Sequence, residues 1–128
     1  MDENAKRKLK AKVLLQAMML GLQEISKEDE AIRAQLKGWD RIIQYSVAPD
    51  GPDMHLVISD GTINAGVGPN TKATATIRFA DLDTALAVLT RKLDPQAAFM
   101  QGKVQMTGDM ADALKIGLVS QMASSYFM

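Results

Sequence analysis

Residues 94–110 read Asp94-Pro95-Gln96-Ala97-Ala98-Phe99-Met100-Gln101-Gly102-Lys103-Val104-Gln105-Met106-Thr107-Gly108-Asp109-Met110, a run that packs helix starts, a helix stop and a strand together without a spare residue. Asp94 can accept hydrogen bonds from the free amides of a helix whose first residue is Pro95. Gly102 supplies the left-handed conformation that ends such a helix after two turns. Lys103 to Thr107 then alternates outward Lys103, Gln105 and Thr107 with inward Val104 and Met106, a strand rhythm. Gly108 breaks it, and Asp109 caps a last helix. Phe99, Met100, Met106 and Met110 converge on one side of this unit.

Upstream of it, Ala73, Ala75, Ile77 and Phe79 alternate with Thr74, Thr76 and Arg78 as a strand whose small inward residues leave space where Val or Ile would normally pack. Asp81 caps a helix carrying Leu82, Leu86, Leu89 and Leu93. Further back, Trp39 to Val47 alternates, Pro49-Asp50-Gly51-Pro52 turns, and Met54–Ser59 pairs with Thr62–Val67 through Asp60-Gly61, predicting an antiparallel meander. From Asn4 to about Gln23, Leu9, Val13, Ala17 and Leu20, widened by Leu14 and Met18, predict an amphipathic helix with a basic entry at Lys6 to Lys12. Ser26 is read as the cap of a second helix ending at Gly38. Downstream, Met110, Ala113, Leu114, Gly117, Leu118 and Met122 form the stripe predicted to face inward on the final helix. The expected division is a helical segment over 1–38 and a domain over 39–128, together one globular unit. Its economical packing places the helices on one face of a five-stranded sheet.

Composition narrows the function classes. At 128 residues the chain can bury a sizeable core without staples, and with no cysteine it has neither disulfides nor a thiolate nucleophile. Fifteen basic residues balance fifteen acidic ones, which argues against a nucleic-acid partner. No apolar run approaches the ~20 residues of a membrane span, and the charged start does not read as a secretion signal, so a cytoplasmic location is expected. Asp81, Asp94 and Asp109 are accounted for as helix caps, and the single histidine, His55, shares a strand face with Val57 and has no partner for metal. No serine sits in a nucleophile elbow. The expectation is a non-enzymatic protein with no catalytic residue, metal or cofactor.

Residues 39–122, and most sharply 73–115, resemble the sterol carrier protein 2-like (sterol-binding, lipid-transfer) family. The resemblance rests on Thr76-Ile77, Ala80-Asp81, Asp94-Pro95-Gln96, Ala97, Ala98-Phe99, Met100, Gln101-Gly102-Lys103, Val104 to Met106 and Thr107-Gly108-Asp109-Met110. It implies an α+β fold in which a mixed, mostly antiparallel sheet of order 3-2-1-4-5 is covered on one face by helices, with an apolar tunnel between them. It further implies a carrier for fatty acid, acyl-CoA, sterol or isoprenoid lipid. Met100 stands where members commonly have a second aromatic, giving a softer wall than a rigid sterol requires. The N-terminal helix is also longer and more basic than the resemblance needs.

Under that resemblance Ile77, Leu86, Leu89, Phe99, Met100, Met106, Met110, Leu114 and Met122 become candidate ligand wall, with Gln101 and Gln96 the polar candidates near a head group. Read without it, most of these residues are ordinary core. Expected partners are a hydrophobic lipid, a membrane surface touched transiently through the basic helix, and a homodimer or lipid-metabolising enzyme. The alternative function is an accessory or dimerisation module of a larger lipid-metabolising assembly. The apolar end, Met122, Tyr126, Phe127 and Met128, is read as a lid for the tunnel mouth.

Overall fold

A computed structural model, described for residues 1–127, gives eleven elements. They are α1 (Glu3–Glu28), α2 (Glu30–Leu36), β1 (Arg41–Val47), β2 (Asp53–Ser59), β3 (Thr62–Val67), β4 (Ala75–Phe79), α3 (Leu82–Leu89), α4 (Pro95–Met100), β5 (Val104–Gly108), α5 (Met110–Ala123) and a 3₁₀ turn over Ser124–Phe127. The sheet order is β3-β2-β1-β4-β5, antiparallel throughout except for the β1–β4 pair. This is the expected order.

One face of the sheet, carrying Ile43, Tyr45, Val47, Leu56, Ile58, Ile63, Ile77, Phe79 and Val104, packs against helices and is buried. On the opposite face the 68–74 crossover from β3 to β4 is held by side chains. His55 Nδ1 donates to Gly68 O at 2.9 Å, and the Asn70 amide donates to Gln44 Oε1 at 3.0 Å. The His55 ring lies on its cross-strand neighbour Gly66, where a Cβ would stand 2.3 Å from Nε2. A glycine is therefore required beneath it.

The turn chemistry follows the sequence. Asp60 and Gly61 both take positive φ (54° and 77°), as a two-residue hairpin that matches strand twist demands. Asp81, Asp94 and Asp109 each accept from the amide three residues on, at 2.7, 3.1 and 3.1 Å. Gly102 ends its helix at φ 76°.

The helix faces required correction. Helix α1 continues past Gln23 to Glu28, and Asp29, not Ser26, caps α2 by accepting from the Ile32 amide at 3.0 Å. Its buried stripe is Ala11, Leu15, Met19, Leu22 and Ser26, while Leu9, Val13, Ala17 and Leu20 are exposed. The reason lies at the edge of the sheet. Only that stripe brings Ser26 Oγ and Gln23 Oε1 to the outward amides of Ile63 (2.9 Å) and Ala65 (2.8 Å) on β3. Helix α5 likewise buries Asp112, Ala113, Ile116, Val119 and Ala123, leaving Met110, Leu114 and Leu118 exposed. Helix α3 stops at Leu89, before Leu93, because Arg91 at φ 62° reverses the chain and the Lys92 and Leu93 amides both return to Ala87 O. The space expected over Ala75 is covered: Ala75 is buried and α5 packs across β4.

Candidate functional site

The candidate residues lie on β4 and β5 below and on α3, α4 and α5 above. Ile77 and Met106 are direct cross-strand partners on the helix-covered face, with Phe79 opposite Val104 beside them. Ile77 is buried and Met106 half-buried, so the apolar floor begins inside the molecule and reaches its edge. Helix α3 lies over β4 with Ala85 and Val88 buried, and presents Leu82, Leu86 and Leu89 half-buried. Met122, near the end of α5, is half-buried against the core.

The other candidate residues lie at the surface. Phe99, Met110, Leu114 and Met100 are 37%, 45%, 60% and 78% exposed, and Gln101 is exposed as well. Met110 and Leu114 occupy the side of α5 opposite its buried stripe, so Leu114 does not meet Ile77 across the interior. The structure thus joins Ile77, Met106, Leu89 and Met122 to the core, with Leu86 half-buried on α3. Phe99, Met100 and Met110 extend the apolar surface around both ends of β5. Two open grooves lie elsewhere. One is an open groove of about 450 Å³ lined by Ala5, Lys8, Leu9, Lys12, Pro52 and Val67, and the other an open groove of about 380 Å³ between α2 and the Asp60-Gly61 turn.

Sequence reasoning missed Asp112. Its carboxylate accepts from Trp39 Nε1 (3.0 Å), Arg41 Nε (3.1 Å) and Thr74 Oγ1 (2.6 Å), which ties the starts of β1, β4 and α5 together. Burial pushes its pKa up, but the Thr74 and Trp39 hydrogen bonds and the Arg41 charge outweigh that and hold it below the usual carboxylate range. Lys115 Nζ sits 5.0 Å from the centre of the Trp39 ring. The available signal was the Asp109-x-x-Asp112 spacing, which places a second carboxylate in the first turn of the helix. Asp112 orients that turn and therefore Met110. Deeper in the core, burial raises the Tyr45 phenol to about 12, opposed by the Ser120 hydroxyl beside it.

The apolar end of the chain is docked by specific contacts. Tyr126 donates to Asp29 Oδ2 at 2.6 Å, Arg91 donates to Ser124 O at 3.2 Å, and Phe127 lies where a Gly21 Cβ would be, 2.7 Å from its ring. The segment thus bridges α1 and the end of α3. Met128 lies outside the described residues.

Among the described residues no group of three or more His, Asp or Glu could hold a metal, and no helix is long and apolar enough to cross a membrane. Comparison with known proteins supplies the family. Over 70 residues the chain is 41% identical to sterol carrier protein 2 of Oryctolagus cuniculus, and over 68 residues 39% identical to peroxisomal multifunctional enzyme A of Dictyostelium discoideum. Each match covers 53% of this chain but only 13% and 15% of those proteins. A crystal structure of sterol carrier protein 2 superposes with a TM-score of 0.61 at 26% identity, covering 87% of this chain and 93% of that one. The profile of the SCP-2 sterol transfer family matches residues 22–119, and the chain belongs to that family, whose fold binds and transfers lipid.

Proposed function

We propose that the protein is a non-enzymatic carrier that holds one long-chain lipid, a fatty acid, acyl-CoA, sterol or isoprenoid, in an apolar space between the sheet and α3, α4 and α5. The observation that supports this reading is the match of residues 22–119 to the SCP-2 sterol transfer family, on a chain whose β4–β5 floor pairs buried Ile77 with half-buried Met106. Each methylene removed from water contributes about 0.8 kcal/mol, so no charged anchor is required for affinity. Methionine walls adapt to tails of different shape, which favours flexible acyl chains over a rigid ring system. Met122 completes the proposed wall, Leu114 being on the far side of α5, and Gln101 at the end of α4 is the proposed head-group contact.

The carrier would meet its donor membrane through α1. Leu9, Val13 and Leu20 are exposed on one side of that helix, flanked by Lys6, Lys10 and Lys12, an arrangement suited to the boundary of an anionic bilayer. A cytoplasmic location is part of the same proposal. The second reading is an accessory module within a larger lipid-metabolising assembly, favoured by relatives far longer than this chain, among them the multifunctional enzyme. Titration with a fluorescent fatty acid, followed by competition with acyl-CoA and isoprenoid probes, tests the carrier. Saturation near one lipid per chain is the expected result, and no binding of any probe would remove the reading.

A further inference from the structure

We propose that the free edge of β5 is a self-association surface, on which a second copy of this chain pairs antiparallel about Met106. The sheet has two edges, and the molecule treats them differently. On β3 the outward amides of Ile63 and Ala65 are taken by Ser26 Oγ and Gln23 Oε1 from α1, which closes that edge to other strands. On β5 the ladder to β4 runs through alternate residues. The Lys103 carbonyl accepts from the Ala80 amide at 2.8 Å, and the Asp109 amide donates to Thr74 O at 2.9 Å. By the two-residue alternation Gln105 and Thr107 also face β4, and the main-chain groups of Val104 and Met106 point away from the sheet, while Gly108 at φ 85° ends the alternation. No hydrogen bond among the described residues reaches them.

A two-fold axis at Met106 satisfies these groups in register. Met106 exchanges both hydrogen bonds with the partner's Met106, and Val104 comes opposite the partner's Gly108. The same register sets Lys103 opposite the partner's Asp109 and Gln105 opposite the partner's Thr107. Cross-strand pairs of opposite charge or of hydrogen-bonding side chains stabilise a ladder, and this one gains such pairs symmetrically on both sides of the axis. The chain termini of the strand point the same way. Helix α4 ends just before Lys103 and α5 begins directly after Asp109, so pairing brings the exposed Met100 beside the partner's Met110. Two apolar side chains that the single chain leaves in water thereby cover each other. Zero net charge removes long-range repulsion between copies. The edge is short, so association in the micromolar range is expected.

Sedimentation equilibrium on the full chain over about 1 to 500 μM should show a reversible dimer. Lys103→Glu, which sets like charges opposite each other twice, should weaken it at least tenfold, and so should Met100→Lys. Neither side chain packs in the core, so both variants should keep the parent melting temperature. Hydrogen exchange at the Val104 and Met106 amides should slow as concentration rises, with the Ile63 and Ala65 amides indifferent to it. A monomer throughout the range, a dimer that neither variant shifts, or exchange at Met106 independent of concentration would each overturn the proposal. The lipid reading stands separately: fatty-acid titration of monomeric Lys103→Glu should still saturate.

Discussion

At Asp112, Trp39, Arg41 and Thr74 all donate to one buried carboxylate, and the cost of burying the charge is met by geometry. Asp112→Asn keeps the shape but loses the charge, and should cost about 2–3 kcal/mol, read by denaturant unfolding. The pH dependence follows the sign of the shift. A carboxylate held below its unfolded value of about 3.9 contributes stability that is present above that pH and lost as pH falls through the folded value. The variant should therefore show a shallower loss of stability below about pH 4 than the parent. Met106 tests the apolar floor. Met106→Asp places an unpaired charge opposite Ile77 and should cost about 3 kcal/mol while abolishing lipid retention, whereas Lys103→Ala should change neither. If the Asp variant melts and binds like the parent, the inward face of β5 is assigned wrongly by one residue.

Helices α1 and α5 each carry two apolar stripes, and this is where sequence patterning stopped being decisive. Caps, stops and strand alternation are local, so Asp81, Asp94, Asp109, Gly102 and the Asp60-Gly61 turn were readable from neighbouring residues alone. Which stripe of α1 meets the sheet is set at a distance by Ser26 and Gln23 closing the β3 edge, a long-range hydrogen-bonding requirement with no local trace. The same holds for α5, where Asp112 rotates the helix toward Trp39 and leaves Leu114 outside. The partition of the candidate residues into core and surface was hidden for that reason, while the elements β4, α3, α4 and β5 that carry them were legible. The terminal 3₁₀ turn offers an element-scale test. Its Tyr126 hydroxyl, followed by the Ile32 amide, holds Asp29 below the ordinary carboxylate value, and Phe127 fills the notch at Gly21. Truncation after Gln121 removes buried Ala123, core-packed Met122 and Phe127 and the Tyr126–Asp29 hydrogen bond, and should lower the melting temperature by about 5 °C or more. Thermal melts of full-length and truncated chains measure it; an unchanged melting temperature would contradict the docking of this segment on α1.

The whole molecule presents two contrasting faces, one sheet side packed under helices and the other strapped by the 68–74 crossover through His55 and Gln44. Tyr45 reports on the packed side. Its phenol is raised to about 12, so the stability it contributes is full below the unfolded value of about 10 and lost as pH rises from there through the folded value. Tyr45→Phe should flatten that alkaline decline, which chemical denaturation between about pH 9 and 12 would reveal. The central claim is the proposal that the protein holds one lipid between the sheet and α3, α4 and α5. Native mass spectrometry of the intact chain, purified from cells without detergent, tests it most directly. The account predicts a population carrying one lipid-sized adduct that is lost in Met106→Asp; a parent protein that stays ligand-free, even after incubation with acyl, acyl-CoA and isoprenoid lipids, would contradict it.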